Sequence, residues 1–189
     1  MPNIIENNLT LHRFGYYINV NYLKGGRDMS KFHKSPNKYV NHIALKVENL
    51  KRSLEFYQQI MGLKIIKKED NKAILSANGI EPILTIEQPE NVIPKELRRT
   101  GLYHFALLLP NRKELGKLLK NILDKEYPII GAANHMVSEA IYLQDIDDNG
   151  IEIYADTSPS TWEWHNGLVK MDTKPLNIKD IINEAGKDL

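Results

Sequence analysis

Three side chains far apart in the chain have the types needed to hold a divalent metal ion: His42, His104 and Glu152. Each lies in a short stretch whose apolar residues alternate, the period of a β-strand. In Ile151-Glu152-Ile153-Tyr154 the isoleucines point to one face, and Glu152 and Tyr154 to the other. A carboxylate in the middle of an apolar strand is costly to bury unless something compensates it. A metal ion is one such compensation, and the two histidines supply nitrogen ligands from strands of matching pattern. The chain has no cysteine, so disulfide and thiolate chemistry are excluded and a metal must be held by nitrogen and oxygen.

The elements that must position these residues repeat. Tyr39–Val47 reads as a strand, with His42, Ala44 and Lys46 on one face and Ile43, Leu45 and Val47 on the other. Asn49 can cap a helix running to about Met61, which Gly62 ends. Strands are expected near 63–68, 72–77 and 82–87, separated by Glu69-Asp70-Asn71 and Asn78-Gly79. A loop over 88–101 follows. The same order then recurs: a strand over Leu102–Leu109, a helix from Pro110-Asn111 to about Lys125, and strands near 127–132, 138–144 and 150–155. The two halves share a string, His42-Ile43-Ala44-Leu45 against His104-Phe105-Ala106-Leu107. This is an internal duplication of a βαβββ unit. The expected fold is α+β: paired βαβββ units forming a curved, cup-like mixed sheet with helices outside. The bulkier apolar set (Ile43, Leu45, Val47, Phe105, Leu107, Ile151, Ile153) then faces the helices. His42, His104 and Glu152 share the cup face. The turn before the last strand, Asp145-Ile146-Asp147-Asp148-Asn149-Gly150, contains residues that tolerate tight and left-handed backbone.

The domain expected over 39–156 is flanked by two unlike segments. Residues 1–38 are polar and show no sustained period. Lys24-Gly25-Gly26 ahead of Met29 can reflect a ribosome-binding sequence, so Met29 is an expected natural start; a flexible arm is the alternative. Residues 157–189 read as a tail with Trp162 and Trp164 over an apolar edge and a short helix over Leu176–Ala185. Net charge is +1, which gives no pull toward nucleic acid or anionic membrane. No apolar run approaches a membrane span and no secretion signal is visible, so a cytoplasmic location is expected. An isolated domain of this kind exposes sheet edges, which proteins usually cover, so a homodimer is expected. His12, His33 and His165 are expected in solvent, as is the pair Arg98-Arg99.

Four stretches, in order, resemble the vicinal oxygen chelate superfamily of glyoxalases, bleomycin resistance proteins and extradiol dioxygenases. They are Asn41-His42-Ile43-Ala44-Leu45-Lys46-Val47, Thr100-Gly101-Leu102-Tyr103-His104-Phe105-Ala106, Asn134-His135-Met136-Val137-Ser138-Glu139-Ala140 and Asp148-Asn149-Gly150-Ile151-Glu152-Ile153-Tyr154. Within the superfamily the sequence is similar to the first module of catechol-2,3-dioxygenase-like proteins. The resemblance implies one divalent metal on His42, His104 and Glu152, with Fe(II) favoured and Zn, Ni or Mn as alternatives. Two histidines and a carboxylate leave positions open for substrate and oxygen, as in non-heme Fe(II) oxygenases. The implied substrate is a small, catechol-like aromatic with adjacent oxygens. His135 is implied on the substrate side as a hydrogen-bond donor or acid–base group. Ala140 stands where extradiol enzymes carry a tyrosine, and Tyr142, on the same face, is the expected substitute. Glu87 is a possible fourth ligand by resemblance to glyoxalase I, which would favour a glyoxalase-like isomerase or lyase. A non-catalytic binding or resistance protein is the third expectation.

Overall fold

The computed structural model describes residues 40–96 and 101–186, and residues 15–19 by their backbone alone. The remainder of the expected leader, His12, His33 and Arg98-Arg99 fall outside these residues. The first unit comprises β2 (Ile43–Lys46), α1 (Leu50–Gln59), β3 (Lys64–Lys68), β4 (Lys72–Ser76) and β5 (Leu84–Glu87). The second comprises β6 (His104–Leu108), α2 (Arg112–Asp124), β7 (Gly131–Asn134), β8 (Ser138–Gln144) and β9 (Gly150–Asp156). In both, the first strand runs parallel to the last and the other pairs are antiparallel. The duplication legible in the sequence is therefore a duplication of topology.

Both helices start where a side chain takes over an unpaired backbone donor. Asn49 accepts from the Arg52 N–H at 2.9 Å, and Asn111 accepts from the Glu114 N–H at 3.0 Å. Past α1 the chain turns at Gly62, whose φ of +69° is the left-handed conformation that suits glycine.

The alternation sorts the strand faces as expected. Val47, Phe105, Leu107, Ile151 and Ile153 are buried in one core shared by both units, and Ile43 and Leu45 pack against it. The opposite face of the second unit carries a smaller cluster of Ala106, Leu108, Ala140 and Tyr154.

Two differences from expectation concern the sheet. The ladders do not join. One runs β2-β5-β4-β3; the other runs β1-β6-β9-β8-β7-β12, where β1 is Gly15–Asn19 and β12 is Lys174–Pro175. The outer edge of β6 is satisfied by β1, running parallel with Gly15 opposite His104. An edge already paired offers no donors or acceptors to β2. The strand expected near 127–132 lies at Gly131–Asn134 instead. Pro128 cannot donate to a ladder, and pairing to β8 begins with the Ile130 N–H donating to the Tyr142 carbonyl at 2.8 Å.

The tail forms a small hairpin, β10 (Trp164–His165) with β11 (Leu168–Val169), then β12 and α3 (Ile178–Ala185). His165 is exposed. Trp162 is half-buried and donates to Thr157 Oγ1 at 2.9 Å. Helix α3 lies along α2, with Ile181 fully buried. It is clasped by Arg112, which donates through Nε and Nη2 to buried Glu139 of β8, and reaches Asp180 at 2.9 Å and Glu184 at 2.6 Å. No helix among the described residues is long and apolar enough to cross a membrane.

The turn 145–149 ties the units together. Asp145 Oδ1 accepts from the backbone N–H groups of Asp147 and Asn149, both at 2.9 Å. Its Oδ2 accepts from the Tyr57 hydroxyl of α1 at 2.7 Å. Asp147 accepts from the Glu48 N–H at 2.8 Å and is paired with Arg52. Burial, and then the Asp145 charge, push the Tyr57 phenol well above its usual range. Burial and the same aspartate push Tyr127 up to about 12.

A phenol whose folded pKa lies above its unfolded value adds stability that is complete below the unfolded pKa of about 10. That contribution disappears as pH rises through the folded value. Tyr57→Phe is therefore expected to cost about 1–2 kcal/mol at neutral pH and to flatten the alkaline limb of the stability curve. Urea unfolding midpoints between pH 7 and 11 measure both. An unchanged alkaline limb in the variant counts against the assignment.

Candidate metal centre

His104 opens β6 and Glu152 lies in the middle of β9, and both are buried. The parallel register sets His104 opposite Gly150 and Ala106 opposite Glu152, so the two side chains are diagonal neighbours on the cup face. His104 Nε2 lies 3.1 Å from Glu152 Oε2. The approach is not aligned as a hydrogen bond, and His104 Nε2 is a buried atom without one. Leaving such an atom unmatched costs about 1–3 kcal/mol.

A cation shared by the two groups would match this arrangement. Two ligand atoms about 2.1 Å from one ion, at right angles to each other, lie about 3.0 Å apart. The His104–Glu152 pair fits two neighbouring coordination positions.

Tyr142 and His135 extend the site. Tyr142 in β8 lies opposite Glu152 and donates its hydroxyl proton to Glu152 Oε1 at 2.9 Å. His135, on the β7–β8 connection, places Nε2 2.8 Å from the same hydroxyl. A phenol has one proton, so Tyr142 accepts from His135, whose Nε2 carries hydrogen. Thr173 Oγ1 approaches the other ring nitrogen of His135 at 3.5 Å. His104, Glu152, Tyr142 and His135 thus form one continuous line of polar groups.

His42 stands apart. It is exposed just before β2, and its Nε2 is 2.9 Å from Thr85 Oγ1 on β5. Among the described residues no group of three His, Asp or Glu side chains is gathered to hold an ion. Thr85 was not among the candidate site residues, although the alternation of β5 puts it on the cup face. There it lies opposite Ala44. Glu87 shares that face and is half-buried, opposite Lys46 on one side and Lys72 on the other.

Residues 39–153 match the Glyoxalase/Bleomycin resistance protein/Dioxygenase superfamily, and the chain belongs to that family. It is 42% identical over 152 residues to the catechol-2,3-dioxygenase of Bacillus subtilis (strain 168), covering 79% of this chain and 53% of that protein. The chain thus spans about half the length of this relative. It is also 23% identical over 120 residues to the metallothiol transferase FosB of Lysinibacillus sphaericus (strain C3-41), covering 62% of this chain and 82% of that one.

Two solved structures share the fold. A glyoxalase/dioxygenase from Nostoc punctiforme aligns with a TM-score of 0.51 at 21% identity, over 72% of this chain and 99% of its own. A glyoxalase/bleomycin resistance protein/dioxygenase from Alicyclobacillus acidocaldarius aligns with a TM-score of 0.51 at 17% identity, over 64% of this chain and 92% of its own.

Proposed function

We propose that this chain is a metal-dependent enzyme of the extradiol dioxygenase type, with His104 and Glu152 as two protein ligands of an Fe(II) ion. The observation that carries the reading is the buried His104 Nε2 set 3.1 Å from Glu152 Oε2. The 42% identity to a protein named catechol-2,3-dioxygenase supports the choice of reaction. When bound, the metal supplies Lewis acidity and a template for two adjacent substrate oxygens and dioxygen.

His104 and Glu152 hold the ion, and the Glu152 carboxylate neutralises part of its charge. Tyr142 fixes the orientation of Glu152 through Oε1 and keeps that oxygen out of competition for other donors. His135 faces Tyr142 and can hold or pass a proton at Nε2, as acid–base chemistry on a catechol hydroxyl requires. His42 is the third ligand in this reading. Its bond to Thr85 is a single hydrogen bond, whose exchange costs about 1 kcal/mol. The substrate is a small aromatic with adjacent oxygens. Glu87 is given no ligand role in this reading, since its ladder partners on both sides are lysines, Lys46 and Lys72. β2 ends its ladder among the described residues, which supports a homodimer that covers this edge.

Reconstituting metal-free protein with Fe(II) under nitrogen, then adding catechol and air, tests the reaction. The expected result is a yellow ring-opened product. Stoichiometric iron with no product from any catechol overturns the dioxygenase assignment. His42→Ala is expected to weaken Fe(II) or Co(II) binding at least tenfold. Affinity equal to the parent removes His42 from the ligand set.

A further inference from the structure

The turn before β9 and the first residue of that strand contain two kinds of unusual residue, and only one of them is there for its backbone. The left-handed position is Asp148, with φ of +59°. Gly150 is not among the positive-φ glycines, so its backbone is one that any residue adopts. What Gly150 lacks is room. A Cβ built on it would lie 2.2 Å from the carbonyl oxygen of Tyr103, 2.9 Å from His104 Cβ and 3.1 Å from His104 Cα. Two of these are backbone atoms, of Tyr103 just before β6 and of His104 in it, and the third is fixed directly to that backbone, so no rotamer change relieves the contact. Real Cβ atoms essentially never approach closer than 3.0 Å.

We infer that Gly150 is a positioning residue for the metal centre: its missing side chain lets β9 close onto β6 at His104 and so sets the distance from His104 to Glu152. Gly150 is the ladder partner of His104, and Glu152 is the next residue of β9 on the same face. Any side chain at 150 moves the start of β9 away from β6 by about 1 Å, from 2.2 Å to beyond 3.0 Å. The displacement falls between the two ligand side chains. The inference rests on the assignment of His104 and Glu152 as ligands.

The experiment compares Gly150→Ala with Gly62→Ala by Co(II) titration of metal-free protein, reading affinity and the visible absorption band, with the thermal midpoint measured in parallel. Gly62 needs its glycine for backbone conformation, with φ of +69° and no atom within 4 Å of an added Cβ. Both variants are expected to lower the midpoint. Only Gly150→Ala is expected to weaken Co(II) binding, by about 10–100-fold, and to change the band, because ligand spacing is altered only there.

Should Gly150→Ala not fold, the same titration is made on Asp148→Gly combined with Gly150→Ala. Glycine at 148 relieves the left-handed backbone and restores about 1 kcal/mol. Parent-like affinity and band in the folded variant overturn the inference. Failure of the parent itself to bind Co(II) overturns the ligand assignment beneath it, which separates the two.

Discussion

Glu152→Gln is expected to weaken metal binding at least about 100-fold and to leave the protein at least as stable as the parent. The glutamine keeps an oxygen where Tyr142 donates to Oε1 and places an amide N–H group toward His104. His104 Nε2, a buried atom with no hydrogen bond, gains a donor if the ring carries its proton on Nδ1. A buried charge is removed and a buried polar atom is matched, each of which favours the folded state. The gain is about 0–2 kcal/mol in stability, against a loss of at least about 100-fold in Fe(II) or Co(II) affinity. Denaturation of metal-free protein and metal titration measure the two quantities separately. A marked loss of stability in metal-free Glu152→Gln would show that the carboxylate is a structural group, and parent-like affinity would remove it from the site.

The second large effect is expected far from that centre. Arg112→Met is expected to destabilise the fold by about 3–5 kcal/mol, because it leaves the Glu139 carboxyl buried with its guanidinium partner gone. Glu139 sits in β8 at 7% exposure, so water cannot replace the lost donors. Asp180 and Glu184 are more open and contribute little by themselves. The guanidinium is held in its charged form, chiefly by its hydrogen bond to Glu139. For a chain of this size such a loss lowers the thermal midpoint by roughly 6–20 °C. Replacing Glu139 with Gln in the same background should return part of it, since a neutral amide is cheaper to bury than a carboxylate. An Arg112→Met midpoint within a degree or two of the parent would contradict the account.

The parts of this fold that could be read from sequence are those built on local signals. Asn49 and Asn111 announced two helices because a capping side chain acts within three residues. The alternation around His104 and Glu152 placed both on one face because pleating has a fixed period. The parts that could not be read depend on partners distant in sequence. Arg112 meets carboxylates 27, 68 and 72 positions away, and nothing in its own neighbourhood marks it. The two-residue strands at Trp164, Leu168 and Lys174 are too short to display a period. Gly150 could be read as a turn former, but the space it leaves beneath His104 exists only once β6 and β9 are adjacent. The association of His42 with Thr85 joins residues 43 positions apart, and no single stretch encodes it.

The knot of contacts around Asp145 and Asp147 carries a consequence for how this chain can be divided. Tyr57, Glu48 and Arg52 of the first unit hold the loop that feeds directly into the strand bearing Glu152. The repeated halves therefore no longer behave as interchangeable cassettes. A hybrid that borrowed one half from a distant cousin would inherit a carboxylate pair with no phenol or guanidinium to meet it, and the fault would surface in the other half, at the centre where chemistry is proposed.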